Sequence, residues 1–387
     1  MFRKILAAAV ALCLIPLAAL AEPLEEAVPI DIDCEAAILM EPDSGQAIFE
    51  LNADDTRPVA SVTKVMTILL ICEALEDGRA ALDDVITISP QAEGMGGSQV
   101  LLDVGEQQKL STLLKCVIIA SANDAAVALA EHLYGSEQLF VQKMNERARA
   151  LGAKNTNFVN CTGLPAGGQY TTARDVALMS AELVRHAAYF QYSTIWMDDL
   201  DHGDGRVTQL TNTNRLIRLY EGCDGLKTGS TQEAGYCMSA TAERGGMRLV
   251  AVVLGAKSGK SRFDIASRML DHGFANYRTY PVAQKGARVR GTMPVVAGEK
   301  EGVKLALDDD MTLLIQKGEE GGITLTPHLP GSVRAPIRAG QRVGSVDVIK
   351  DGRVVGQVAV AAAETVNAQN YWDVMKRVLG AWRFKIA

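Results

Sequence analysis

The chain has 387 residues, long enough for two domains, and its 48% hydrophobic and 22% charged composition describes a globular protein rather than a disordered one. A formal charge of -7 has the wrong sign for a nucleic-acid-binding face. The five histidines are scattered and no zinc-type Cys/His spacing is present, which argues against a metal site.

At the N-terminus, Arg3 and Lys4 precede an uncharged apolar run over 5–21. Ala19-Leu20-Ala21 fits the small-x-small cleavage pattern, so residues 1–21 are expected to be a cleaved export signal. The alternative, a retained span, fits less well with Pro16 and the shortness of the run. The six later cysteines (Cys34, Cys72, Cys116, Cys161, Cys223, Cys237) are widely spaced. They read as small buried thiols rather than as a stapled scaffold.

A short acidic linker over 22–32 leads into a strand at 34–40, a turn at Asp43-Ser44-Gly45 and a hairpin partner at 47–50. Ser61 opens an apolar helix running towards Gly78, and its apolar character on most faces predicts a central, buried position. A second helix over 110–120 ends at Ser121, and a third is capped by Asp124 and runs to Leu133. Residues 151–170 are loop-rich, and Thr171 or Thr172 caps the next helix. Asp224-Gly225 reads as a turn after which Lys227 begins a strand. Strands at 236–241 and 248–254 and a helix over 263–277 follow. Strands at both ends with helices between predict an α+β fold, one antiparallel sheet covered by a helical layer.

From about Pro281 the texture changes to short alternating segments at 304–307, 312–315, 323–325 and 343–360, separated by Gly and Asp-Gly turns. These predict a small all-β domain with no catalytic constellation. The last stretch, 370–387, places Trp372, Met375, Val378, Leu379 and Trp382 at helical spacing among Lys376, Arg377, Arg383 and Lys385. It reads as an amphipathic helix for an anionic membrane surface. The expected domains are therefore 22–279, 280–366 and the helical 367–387.

Three short strings carry the chemistry. In Ser61-Val62-Thr63-Lys64 a hydroxyl and an amine lie one helical turn apart. Ser61 is the candidate nucleophile and Lys64 its base. A lysine acts as a base only when neutral, which needs burial or a nearby cation such as Lys227. Ser121-Ala122-Asn123 offers a hydroxyl that can pass on a proton and an amide that can hold a peptide group. Lys227 and Thr228 suit a substrate carboxylate, and Gly229 leaves the strand wall open to a substrate backbone. Lys257-Ser258-Gly259 has a similar form but lies in a loop after a strand.

The ordered set resembles the low-molecular-mass penicillin-binding proteins, serine-type D-Ala-D-Ala carboxypeptidases of the S11 peptidase family. The resemblance covers nearly the whole mature chain. It includes Asp224-Gly225-Leu226, Thr172-Ala173-Arg174-Asp175, the small β-domain and the terminal helix. It implies a penicillin-binding/β-lactamase-like catalytic domain and a substrate in the peptidoglycan pentapeptide ending in D-Ala-D-Ala. It also implies β-lactams as covalent inhibitors, no cofactor, and a place on the outer face of the cytoplasmic membrane. Carried onto this sequence, Ser61, Lys64 and Ser121 are catalytic, the backbone N–H groups of Ser61 and Ser230 form the oxyanion hole, and Arg262 lies near the substrate carboxylate.

Two alternatives remain. A class A β-lactamase shares the three strings but needs a glutamate in the loop after the second of them, and none lies between Glu146 and Glu182. An inactive wall-binding module is the other, and the intact motifs argue against it.

Overall fold

A computed structural model describes residues 32–383. The expected export signal, most of the acidic linker and residues 384–387 lie outside the described residues. The described chain divides into two compact units, one of residues 32–284 together with 310–321, the other of 285–309 together with 322–383.

The first unit is built on a five-stranded sheet with β1 (Ala36–Glu41), β2 (Gln46–Leu51), β3 (Cys223–Thr231), β4 (Gly235–Arg244) and β5 (Met247–Ala256) in the order β2-β1-β5-β4-β3. Every pairing is antiparallel. Both faces of the central strands are buried, and period-2 alternation sends successive residues to different cores. In β5, Val250, Val252 and Leu254 enter one cluster, and Leu249, Ala251 and Val253 the other. Ile38 and Met40 of β1 join the first cluster, and Ala37 and Leu39 the second.

The first cluster holds α1 (Lys64–Glu76), α2 (Leu110–Ile119), α3 (Asn123–Tyr134) and α4 (Ala173–Leu183). Every residue of α1 from Lys64 to Cys72 is buried, so the helix has no solvent face until its last turn, in line with its composition. The second cluster places α5 (Gly259–Asn276) against the opposite face, so the sheet is covered on both sides rather than by one layer.

Several local expectations need correction. The Lys227 string lies in the middle of β3, not at its start. Asp224-Gly225 is a register irregularity inside that strand, because β3 already pairs with β4 at Cys223. Asp124 does not cap α3; the helix starts one residue earlier, and the buried carboxylate accepts from the N–H groups of Val100, Leu102 and Ala125. Thr172 is the residue that caps α4, accepting from Asp175 N. Ser258 of the look-alike string caps α5 in a capping box with Ser261, a structural use of the same residue types.

The second unit is a six-stranded sheet with Ile323–His328, Arg342–Lys350, Arg353–Ala362, Gly302–Leu307, Arg288–Val296 and Val333–Arg334 in that spatial order. Its core includes Val303, Leu305, Val346, Val360 and Val366. The apolar run at 312–315, expected here, instead lies in the strand Met311–Gln316, which pairs with Tyr277–Ala283. Leu314 thereby enters the second core cluster of the first unit beside Tyr277. A helix over Tyr371–Arg383 ends the described chain.

Candidate active site

Ser61 lies in a 3-10 turn (Ala60–Thr63) immediately before α1, so Lys64 is the first residue of the helix proper. Lys64 is fully buried, and its Nζ lies 2.6 Å from Asn123 Oδ1, 2.7 Å from the carbonyl oxygen of Thr162 and 3.1 Å from Ser61 Oγ. Burial lowers the Lys64 amine to about 7, against an opposing pull from Cys161 and Asp124. A neutral amine has two protons and one lone pair. Its two protons match the two short oxygen contacts, which leaves the lone pair for the Ser61 hydroxyl.

Asn123 reaches this amine from the start of α3. Its Nδ2 donates to Gly96 O at 2.8 Å and its backbone N to Ser98 O at 2.7 Å, so its amide orientation is fixed from three sides. The amide expected to hold a peptide group therefore has its oxygen engaged with Lys64. Ser121, two residues before Asn123, is a non-glycine residue in the left-handed region at φ 63, and its buried Oγ has no hydrogen-bond partner among the described residues. An unpaired hydroxyl held by a strained backbone is an unusual feature of a folded interior.

On β3, Lys227 is buried, and its amine is lowered well below the ordinary lysine value by burial, then by the charges of Lys64 and Arg262. The expected effect of Lys227 on Lys64 is not what lowers the Lys64 amine, which burial alone brings down; it is Lys64 that contributes to the lowering of Lys227. Gly229 packs against the nucleophile's own turn. A Cβ there would lie 2.7 Å from Ser61 N and 2.8 Å from Val59 O, so its missing side chain is what lets the nucleophile's turn pack on β3. Ser230 is exposed at the end of that contact. Arg262, from α5, donates through Nη1 to Gly229 O at 3.0 Å and lies over the rings of Phe263 and Tyr236. It braces the backbone of β3 beside the site.

Residues 22–258 match the S11 peptidase family, D-alanyl-D-alanine carboxypeptidase, and residues 277–368 match the C-terminal domain of penicillin-binding protein 5. The chain belongs to the S11 family of D-alanyl-D-alanine carboxypeptidases. It is 39% identical to the carboxypeptidase DacF of Bacillus subtilis over 91% of each chain. It is 35% identical to DacC of Escherichia coli over 91% of this chain and 90% of that one. The structure of penicillin-binding protein 5 from Haemophilus influenzae superposes with a TM-score of 0.77 at 32% identity, over 88% of this chain and all of that one.

Some of what builds this S11 site is not a motif residue. Thr162 contributes only its carbonyl, presented by a turn in which Asn160 Oδ1 accepts from the N–H groups of Thr162 and Gly163. A Cβ on Gly163 would strike Ala60 O, so this turn also requires a glycine at φ 83. Thr228 donates through its hydroxyl to that of Thr213 at 2.8 Å. Among the described residues, Glu73, Glu182 and His186 come close enough to hold a metal ion. Arg147 already bridges the two carboxylates, at 2.7 and 2.5 Å, so a guanidinium meets their charge.

Proposed function

We propose that this chain removes the terminal D-Ala from peptidoglycan pentapeptide stems through an acyl-enzyme on Ser61. The observation that carries the reading is the Lys64 amine, buried, lowered to about 7 and oriented by two oxygens towards the Ser61 hydroxyl.

Lys64 takes the hydroxyl proton as Ser61 Oγ attacks the carbonyl between the two D-alanines. The oxyanion is held by the backbone N–H groups of Ser61 and Ser230. Ser121, helped by Lys227, relays a proton to the departing amine, and its lack of any other partner suits that role. Thr228 and Arg262 take the terminal carboxylate, and Asn123 Nδ2 keeps one N–H for a peptide carbonyl. Water then hydrolyses the ester.

The same attack opens a β-lactam ring. With no glutamate between Glu146 and Glu182, the penicilloyl ester on Ser61 is long-lived. Export across the cytoplasmic membrane is supported by the N-terminal apolar run. Among the described residues no helix is long and apolar enough to cross a membrane. Attachment is instead assigned to the terminal helix, where Tyr371, Trp372, Val374 and Val378 are exposed.

Release of free D-alanine from a soluble pentapeptide ending in D-Ala-D-Ala tests the reading, with Ser61→Ala as control. Labelled penicillin that remains on the wild-type chain and is absent from the variant is the second expected result. Rapid penicillin turnover without D-alanine release would instead indicate a β-lactamase.

A further inference from the structure

The Thr213 hydroxyl accepts from that of Thr228 at 2.8 Å, from a loop hydrogen-bonded on both sides of it. Asn212, buried, donates through Nδ2 to the carbonyls of Ser193 and Ile195. Asn214, also buried, donates through Nδ2 to Gly225 O at 2.8 Å, and its own N–H goes to Asn212 Oδ1. Between these two anchors the Thr213 backbone N donates to Ile119 O, two residues before Ser121. The loop thus ties β3 to the end of α2 and presents one side chain, a hydroxyl, to Thr228.

Two hydroxyls carry two protons. One lies in the bond from Thr228 to Thr213, and the other, on Thr213, is left to donate. A carboxylate only accepts, so a Thr228 hydroxyl committed to a neighbour is a poor donor to it unless that neighbour also donates. A paired hydroxyl is a stronger donor because each hydrogen bond polarises the next.

We propose that Thr213 is a specificity-determining residue for the free terminal carboxylate of the substrate, acting with Thr228 as a two-hydroxyl relay. This rests on the carboxypeptidase reading above. In the relay the hydrogen bonds rearrange but no proton leaves either oxygen. Thr213 either donates to the carboxylate directly or donates to Thr228, which then turns its own proton to the anion. Discrimination of this kind follows from leaving an anion without a donor, which costs far more than removing a contact between neutral groups.

The test uses the full chain and two soluble peptides, one ending in D-Ala-D-Ala and one in the corresponding C-terminal amide. Thr213→Val keeps the shape and backbone bonds and removes the hydroxyl. It is expected to lower kcat/KM on the acid roughly tenfold or more while leaving the amide unchanged. Thr213→Ser is expected to retain most of the wild-type rate, at a melting temperature matched to the valine variant. Equal losses on acid and amide, an unchanged rate on the acid, or equal losses for serine and valine would each overturn the relay. If the wild-type amide rate is too low to measure, the serine–valine comparison on the acid decides. A wild-type chain that releases no D-alanine from the acid overturns the carboxypeptidase reading and the relay together.

Discussion

Lys64 and Asn123 lie 59 residues apart in the chain, yet Nζ and Oδ1 meet at 2.6 Å inside the protein. That contact does more for the chemistry than the 3.1 Å approach of Lys64 to Ser61. Without Asn123 the amine keeps a single fixed acceptor, Thr162 O, and its lone pair is free to rotate away from the hydroxyl. Asn123→Ala is expected to slow acylation by penicillin and by peptide alike, by roughly a hundredfold, the scale of a misplaced general base. Lys64→Ala is expected to abolish both. Stopped-flow acylation with a labelled penicillin separates the two variants.

The same amine sets a pH limb. Only neutral Lys64 accepts the Ser61 proton, and burial brings its pKa to about 7. The acylation rate is therefore expected to rise with pH through about 7 and then level off. A limb near the ordinary lysine value would mean that the amine is not desolvated in solution. The acylation rate of the wild-type chain from pH 5 to 9 is the measurement.

Stability carries a matching signature. Folding depresses the pKa of Lys64 to about 7 and moves Lys227 in the same direction, so between about pH 7 and 10.5 the unfolded chain holds a proton at Lys64 that the folded one has lost. Stability contributed by these groups therefore increases as pH rises from about 7 towards 10.5, the reference lysine value, and the cost of burying them is greatest below that window. Lys64→Met is expected to flatten the slope, read from urea unfolding midpoints at pH 7 and pH 9. An unchanged slope would remove Lys64 as its source.

Gly229 offers a purely steric test. A Cβ would come within 2.9 Å of the backbone nitrogens of both Ser61 and Val62, and backbone cannot move aside as a flexible side chain does. Gly229→Ala is expected to destabilise the protein by about 1–3 kcal/mol, the usual range for overpacking. It should also reduce acylation far more than its stability loss explains, because it pushes the nucleophile's turn off β3. A variant with wild-type acylation would show that this packing is dispensable.

Much of this site was legible because side-chain chemistry is concentrated in three strings whose residue types are unusual together. What was not legible is backbone. The Thr162 and Gly96 carbonyls that orient Lys64 and Asn123 leave no mark on residue identity. The packing role of Gly229 was not legible because an absent side chain says that something approaches, not what; the turn of Ser61 is what approaches it in the fold. In the fold, alternation at 312–315 correctly signalled a strand but could not say which sheet it joins, since both sheets accept the same pattern. The second layer over the sheet was missed, although the continuous apolar run of β5 has no solvent face to offer and so carried the signal for burial on both sides.

The terminal helix gives the last prediction. Its described face exposes Trp372 at 69% and Tyr371 at 71%, with Lys376 also exposed. Large aromatic rings left in water are costly, and rings with polar edges beside a cation suit the boundary between headgroups and acyl chains. Removing residues 370–387 is expected to move the chain from sedimented to unbound when it is mixed with vesicles rich in anionic lipid. Hydrolysis of a soluble pentapeptide should be unaffected, since the proposed site is built from residues 61–262. High salt should weaken the binding of the full chain without abolishing it, because apolar burial persists where screened charge does not. Vesicle binding that survives the deletion would assign attachment to another part of the protein, whereas a parallel loss of soluble-peptide activity would give the helix a structural role instead.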